Sequence, residues 1–215
     1  MGQRALLVIS LGLIAVWIGL AVGLSACGAT SPWNMMGNGM MGGGGMMADR
    51  MGEPMMVWQA GQGRVASPEA AGQAAITAVR RQGWDWLTVD EVHIFPAFFE
   101  VELNDRNGFK GPEVYVNRST GDAGPEMGPN MMWDTRYGMG ATCGQAPSEA
   151  QARAGVAPPA GLSLGDGERH HGYWEFELKR AGQVVNQVNV QDCGSGVVFE
   201  AAWQPDMVST YAPNG

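Results

Sequence analysis

Positive charge is scarce in this chain: 13 Lys and Arg stand against 21 Asp and Glu in 215 residues, a formal charge of -8 and a pI near 4.8. Nonspecific nucleic-acid binding needs clustered Lys and Arg to neutralise phosphates, so that function class is set aside. Cysteine is scarcer still, with 3 residues, none in a C-x-x-C spacing. Catalytic signatures are also missing. The three His are His93, His170 and His171, and there is no H-E-x-x-H, no G-x-S-x-G elbow and no phosphate loop among the 33 Gly. Gly165-Asp-Gly167 and Gly194-Ser-Gly196 read as turns. Glu100, Glu102, Glu175 and Glu177 alternate with apolar residues, so they read as solvated carboxylates on one strand face rather than a catalytic pair. The expectation is a protein that is not an enzyme. The 45% hydrophobic content is enough to fold. Its 15 Met are concentrated: apart from Met1 and Met207, nine fall between Met35 and Met56 and four between Met127 and Met139.

The N-terminus reads as an address. Arg4 precedes an uncharged apolar run from Ala5 to Gly23, then Leu24-Ser25-Ala26-Cys27. A charged start, an apolar core and small residues before a cut describe a secretory signal. The last four residues resemble the lipobox of bacterial lipoproteins, a resemblance that implies cleavage before Cys27 and lipid on that cysteine. The competing reading is an uncleaved anchor, since the run is about as long as a bilayer span. Either way the body is expected outside the cytoplasm, lipid-anchored or tethered at the cell membrane or outer membrane. Removing the leader takes Arg4 away, leaving 12 basic residues against 21 acidic, so -8 becomes -9. The remaining Cys143 and Cys193 are most simply one disulfide in an oxidising compartment, closing a loop of about 50 residues. A pair of soft metal ligands is the competing reading.

Five segments follow: 1-26 signal peptide, 27-65 flexible Gly/Met-rich tether, 66-142 a first module with a Met-rich extension, 143-205 a second, weaker repeat, and 206-215 a tail. The tether shows neither period 2 nor period 3.6, and glycine at this density makes ordering costly. Its reach is about 35 Å for a flexible chain of this length. Ser67-Pro68-Glu69 is a helix start, with Ser as N-cap and Pro in the first turn, and the helix is expected to end near Gly83. Val89 to Leu103 reads as a strand bent at Pro96, Asn107-Gly108 as a turn, and Glu113 to Asn117 as a second strand. The order helix, strand, turn, strand gives an α+β fold with antiparallel sheet.

The same order recurs. Pro147-Ser148-Glu149-Ala150 echoes Ser67-Pro68-Glu69-Ala70, Tyr173-Trp-Glu-Phe-Glu-Leu178 echoes Phe98-Phe-Glu-Val-Glu-Leu103, and Val188 to Gly194 echoes Tyr115 to Gly121, at offsets of about 81, 75 and 73 residues. The Ser-Pro-Glu-Ala-Ala helix, the Phe-Glu-Val-Glu-Leu strand and the Val-Tyr-Val-Asn-Arg-Ser-Thr-Gly strand resemble a PepSY domain. That resemblance covers 66-124, and more weakly 145-203, where Pro158-Pro159 shortens the helix. It implies two tandem helix-plus-antiparallel-sheet modules of an exported protein, and an envelope partner such as a peptidase or sensor. Gly128 to Gly138 looks like an extension seen after this module in Met-rich exported proteins.

The Met clusters are the leading chemical feature. A thioether is a soft, uncharged donor that suits Cu(I) and needs no deprotonation. Met35, Met36, Met40, Met41, Met46, Met47, Met51, Met55 and Met56 lie on a chain that can fold back to converge on one ion. Trp33 and Trp58 offer ring faces to a cation. Met131, Met132 and Met139 beside Trp133 form a second candidate set, with His93 or the His170-His171 pair as imidazole donors if near. Each feature has a plainer alternative: an adaptable apolar contact surface, a spacer or oxidant sink for the tether, core packing for Met131 and Met132, and an exposed loop for His170-His171. The function expected from sequence is a non-enzymatic, membrane-anchored extracytoplasmic PepSY-like lipoprotein binding or buffering Cu(I). The alternative is an envelope protein-binding module acting on a peptidase or sensor.

Overall fold

A computed structural model describes residues 56–194 and 196–213. The element order is α1 (Pro68–Arg81), β1 (Thr88–Ile94), β2 (Phe98–Asn104), β3 (Val114–Asn117), β4 (Ala123–Pro125), α2 (Pro129–Trp133), α3 (Glu149–Ala154), β5 (Ser163–Arg169), β6 (Tyr173–Arg180), β7 (Gln183–Gln191), β8 (Val197–Phe199) and β9 (Ser209–Tyr211). The fold is mixed α+β with two antiparallel sheets, ordered β4-β3-β2-β1-β9 and β5-β6-β7-β8. Among the described residues, no helix is long and apolar enough to cross a membrane.

Helix α1 forms as its sequence dictates. The Ser67 hydroxyl accepts from the Ala70 N–H, Pro68 occupies the first turn where its missing donor costs nothing, and Arg80 and Arg81 sit in the last turn against the dipole. Its apolar stripe of Ala71, Ala75, Ile76, Ala78 and Val79 packs on Val92, Phe99, Val101, Leu103, Val114 and Val116 of the first sheet. Each fully buried Val, Leu or Phe there contributes roughly 1.5–3 kcal/mol. Helix α3 has a capping box, in which Ser148 and Gln151 satisfy each other's backbone N–H groups. It is short, ending before Pro158-Pro159, and packs Ala152 against Phe176, Leu178, Val188 and Val190 of the second sheet.

The halves repeat in register. In the first sheet β1 carries a bulge between Val89 and Val92, and Glu100 of β2 pairs with His93 and Tyr115. In the second, β5 carries a bulge between Leu164 and Gly167, and Glu175 of β6 pairs with Glu168 and Asn189. Asn189 therefore takes the position of Tyr115, one residue on from the Val188 that the sequence echo aligns. In β2 and β6 the even- and odd-numbered residues point to opposite faces. One face of each sheet meets its helix, and the other carries the glutamates, joined in the first sheet by Phe98 and Tyr115 of a small apolar cluster.

Several expectations are corrected. Val89 to Leu103 is two strands, because Pro96 sits in a tight reversal where the Phe95 N–H donates to the Phe98 carbonyl at 3.0 Å. Gly165-Asp-Gly167 lies within β5: a Cβ at Gly167 would stand 2.5 Å from Phe176 Cε1, so glycine there admits the ring. The ordered body begins before residue 66. The Trp58, Gly63 and Val65 N–H groups donate to the Ala123, Thr120 and Arg118 carbonyls at 2.9, 3.0 and 2.9 Å, and Gly61 N–H to Asp122 Oδ1 at 2.7 Å. The segment read as a tail contributes β9, which pairs with β1 through Ser209, Thr210 and Tyr211.

Candidate functional site

The two polar faces belong to one compact unit and meet directly. Gln187 of β7 donates its Nε2 to Glu102 Oε1 of β2 at 3.2 Å, and Tyr173 of β6 donates its hydroxyl to Glu113 Oε1 at 2.9 Å. Between the sheets lie the buried carboxyls of Glu100, Glu102, Glu113, Glu126, Glu175 and Glu200, with His93, His170 and Lys110. The expectation that Glu100, Glu102 and Glu175 are solvated is overturned. Period-2 alternation correctly separates two strand faces, but the second sheet covers the face that alternation assigns to water. Glu177 is half-buried. His170 and His171 are corrected as well: His170 is fully enclosed and stacked on Tyr173 at 4.3 Å between ring centroids, and His171 Nε2 lies 2.9 Å from Asp105 Oδ2.

The positive groups are concentrated at one end of this interior. Lys110 Nζ stands 2.9 Å from Glu102 Oε2 and 2.7 Å from Glu168 Oε1, and also donates to Asp90 Oδ2. His93 Nε2 is 3.1 Å from Glu102 Oε1, and its Nδ1 is 3.7 Å from Glu100 Oε2. Burial opposes charging of His93, but the carboxylates of Glu102, Glu100 and Glu91 outweigh it and hold the imidazole up to about 10. Burial would raise Glu102, yet His93 and Lys110 drive it down to about 2. Farther in, burial and mutual repulsion push Glu113, Glu126, Glu175 and Glu200 well above the usual carboxyl range. Burial likewise pushes Glu168 up, to about 8, and His170 down, to about 3. At neutral pH the His170 imidazole is therefore uncharged.

Among the described residues, the groupings Glu91–His93–Glu102, Glu113–His170–Glu175 and Glu100–Glu113–Glu200 each have donor atoms within 4.8 Å of one another. A fourth, Asp90–Glu102–Glu168, surrounds Lys110. The first borders a small polar cavity with Glu91, Glu168 and Glu177 on its half-buried rim and Glu175 and Gln187 deeper. Glu200 is satisfied by Asn189 Nδ2 at 2.7 Å and by Gln204 Nε2. Among the described residues, both oxygens of Glu100 and both nitrogens of His170 have no hydrogen-bond partner.

Of the residues expected from sequence to act, Cys27, Trp33, Met35, Met36, Met40, Met41, Met46, Met47, Met51 and Met55 lie outside the described residues. Met56 is 55% exposed, and Trp58 packs edge-on against Trp84 at 5.5 Å, with its backbone held to the sheet. Met131 and Met132 are half-buried on α2, and Met139 is 74% exposed. The Met139 N–H donates to the Met131 carbonyl at 2.8 Å, which brings these two backbones together. Cys143 and Cys193 form a disulfide with their Cα atoms 5.3 Å apart. The interior carboxyls were visible in sequence only as alternating glutamates. Their repetition at an offset of about 75, with His93 and Glu168 in equivalent positions, was the one available signal.

No protein-family model, no curated protein and no solved structure matches this chain.

Proposed function

We propose that this chain is a non-enzymatic, lipid-anchored extracytoplasmic protein of tandem PepSY-like modules that binds and buffers Cu(I) through methionine thioethers. The observation that carries this reading is the hydrogen bond from Met139 N–H to the Met131 carbonyl, which joins two thioether-bearing positions 2.8 Å apart at the backbone, one of them 74% exposed. Cu(I) prefers soft sulfur donors and accepts low coordination numbers, so two or three converging thioethers suffice. Met132 on the same short helix and the nine Met of 35-56 supply the rest. The Cys143–Cys193 disulfide supports an oxidising compartment. The repeated helix and four-stranded meander, with matching bulges, supports the tandem-module reading. Metal analysis of protein isolated from its native membrane tests it. Copper in the purified protein is expected, and its absence from protein isolated from copper-replete cells counts against the reading.

A second reading, an envelope protein-binding module, is favoured by β5, a seven-residue strand at the end of its sheet. Such an edge can accept a strand from a partner. Pull-down from envelope extract with residues 27-55 deleted separates the readings, because partners of the folded body survive that deletion.

A further inference from the structure

His170 is the most unusual polar group in the interior. It is 0% exposed, and among the described residues neither imidazole nitrogen has a hydrogen-bond partner. A buried imidazole without partners loses the hydrogen bonds it made to water and gains none in return. The ring is held by stacking on Tyr173 at 4.3 Å, and by the His170 N–H donating to the Tyr173 carbonyl at 3.1 Å across the β5–β6 turn. It faces Glu113, whose Oε1 is 3.6 Å from His170 Nδ1, too long for a hydrogen bond. Glu175 from β6 completes the group, one donor atom from each of the three residues lying within 4.8 Å of the others. Glu175 Oε2 is also without a partner, although its Oε1 accepts from Gln187.

We propose that Glu113, His170 and Glu175 form a binding site for a first-row divalent transition ion, of the Zn2+ and Co2+ class, between the two sheets. One imidazole nitrogen and two carboxylate oxygens are borderline and hard donors suited to such ions rather than to Cu(I), and three protein ligands leave an open position for solvent. The ion supplies positive charge between two buried carboxyl groups, which bind it in their deprotonated form. Both carboxyl groups are oriented from behind: the Tyr173 hydroxyl donates to Glu113 Oε1 at 2.9 Å, and Gln187 Nε2 donates to Glu175 Oε1. Glu175 also lines the small polar cavity rimmed by Glu91, Glu168 and Glu177. Its donors are nitrogen and oxygen rather than thioether sulfur, so it stands or falls independently of Cu(I) buffering.

The test uses the full chain with Co2+ and Zn2+ as probes. Titration with Co2+ should give visible d–d absorption saturating at one equivalent, and Zn2+ should bleach it. His170→Phe, which keeps a ring to stack on Tyr173, should weaken Co2+ binding at least tenfold, and Glu175→Gln should do the same. Leucine at the nine Met of 35-56 should leave it unchanged. Imidazole 15N shifts of the unmutated protein guard against a variant that fails to fold: Zn2+ should move the His170 signals and not those of His93. Absence of Co2+ binding, binding unaffected in folded His170→Phe, or Zn2+ shifts confined to His93 would each overturn the assignment.

Discussion

His93 and Glu102 stand 3.1 Å apart, Nε2 to Oε1, on adjacent strands of the first sheet, with side chains 4% and 3% exposed. A pair this enclosed has lost its hydration, so removing one partner costs more than the pair's net attraction. Glu102 retains Lys110 as a second cation, whereas the cation beside Glu100 among the described residues is His93, at 3.7 Å.

Replacing His93 with Gln should destabilise the fold by about 3–5 kcal/mol near pH 6, measured by urea denaturation. The imidazole is held up to about 10 against 6.5 in the unfolded chain. Its contribution is therefore fully present below pH 6.5 and is lost as pH rises toward 10. The variant's stability should fall less steeply than the parent's across that window. Equal slopes would mean that the folded imidazole is not charged.

Glu168 acts in the same direction for a different reason. Burial and the charge of Glu102 push it up to about 8 against Lys110, so the folded state holds a proton that the unfolded chain releases above 4.5. Stability should fall as pH rises through this range, by up to about 1.4 kcal/mol per pH unit for one such group. Comparing pH 6.5 with pH 8 avoids the acid range, in which unfolded His170 takes up a proton that the buried ring refuses. Glu168→Gln should shallow that loss, and an unchanged denaturation slope would count against a protonated Glu168.

Gly61 tests where order begins. A Cβ there would lie 1.9 Å from the Thr120 carbonyl oxygen, a contact that only displacement of the strap can relieve. Gly61→Ala should loosen Trp58 from Trp84, red-shifting tryptophan emission and lowering stability by about 1–3 kcal/mol. Emission identical to the parent's would show that the strap does not pack on the sheet.

Much of the first half was legible because its signals are local. The Ser67 cap and Pro68 needed only neighbours within one turn, and the Ala stripe at helical spacing marked the face that α1 buries. What escaped depends on distant chain. Period 2 placed Glu100 and Glu102 on one face, but only the arrival of Glu175 and Gln187, some 75 to 85 residues later, turns that face inward. His170 lies in a turn, where exposure is the ordinary expectation. Its enclosure comes from Glu113, 57 positions earlier, and from Tyr173. The strand β9 has three residues, too few for any periodicity, and is made a strand by the edge of β1.

The Cys143–Cys193 disulfide ties the segment after α2 to the turn after β7. Mass spectrometry of unreduced protein should recover the two cysteines in one linked peptide pair. Reduction should lower stability by up to about 4 kcal/mol, the chain-entropy value for a loop of about 50 residues. Two free thiols in protein purified without reductant would contradict the pairing.

Competition for Cu(I) against a colorimetric chelator tests the central claim of thioether buffering most directly. The parent chain should withdraw Cu(I) from the chelator. Leucine at Met35, Met36, Met40, Met41, Met46, Met47, Met51, Met55 and Met56 should abolish most of that competition, leaving the smaller share due to Met131, Met132 and Met139. Competition unchanged in the nine-residue variant, or absent from the parent, would contradict the account.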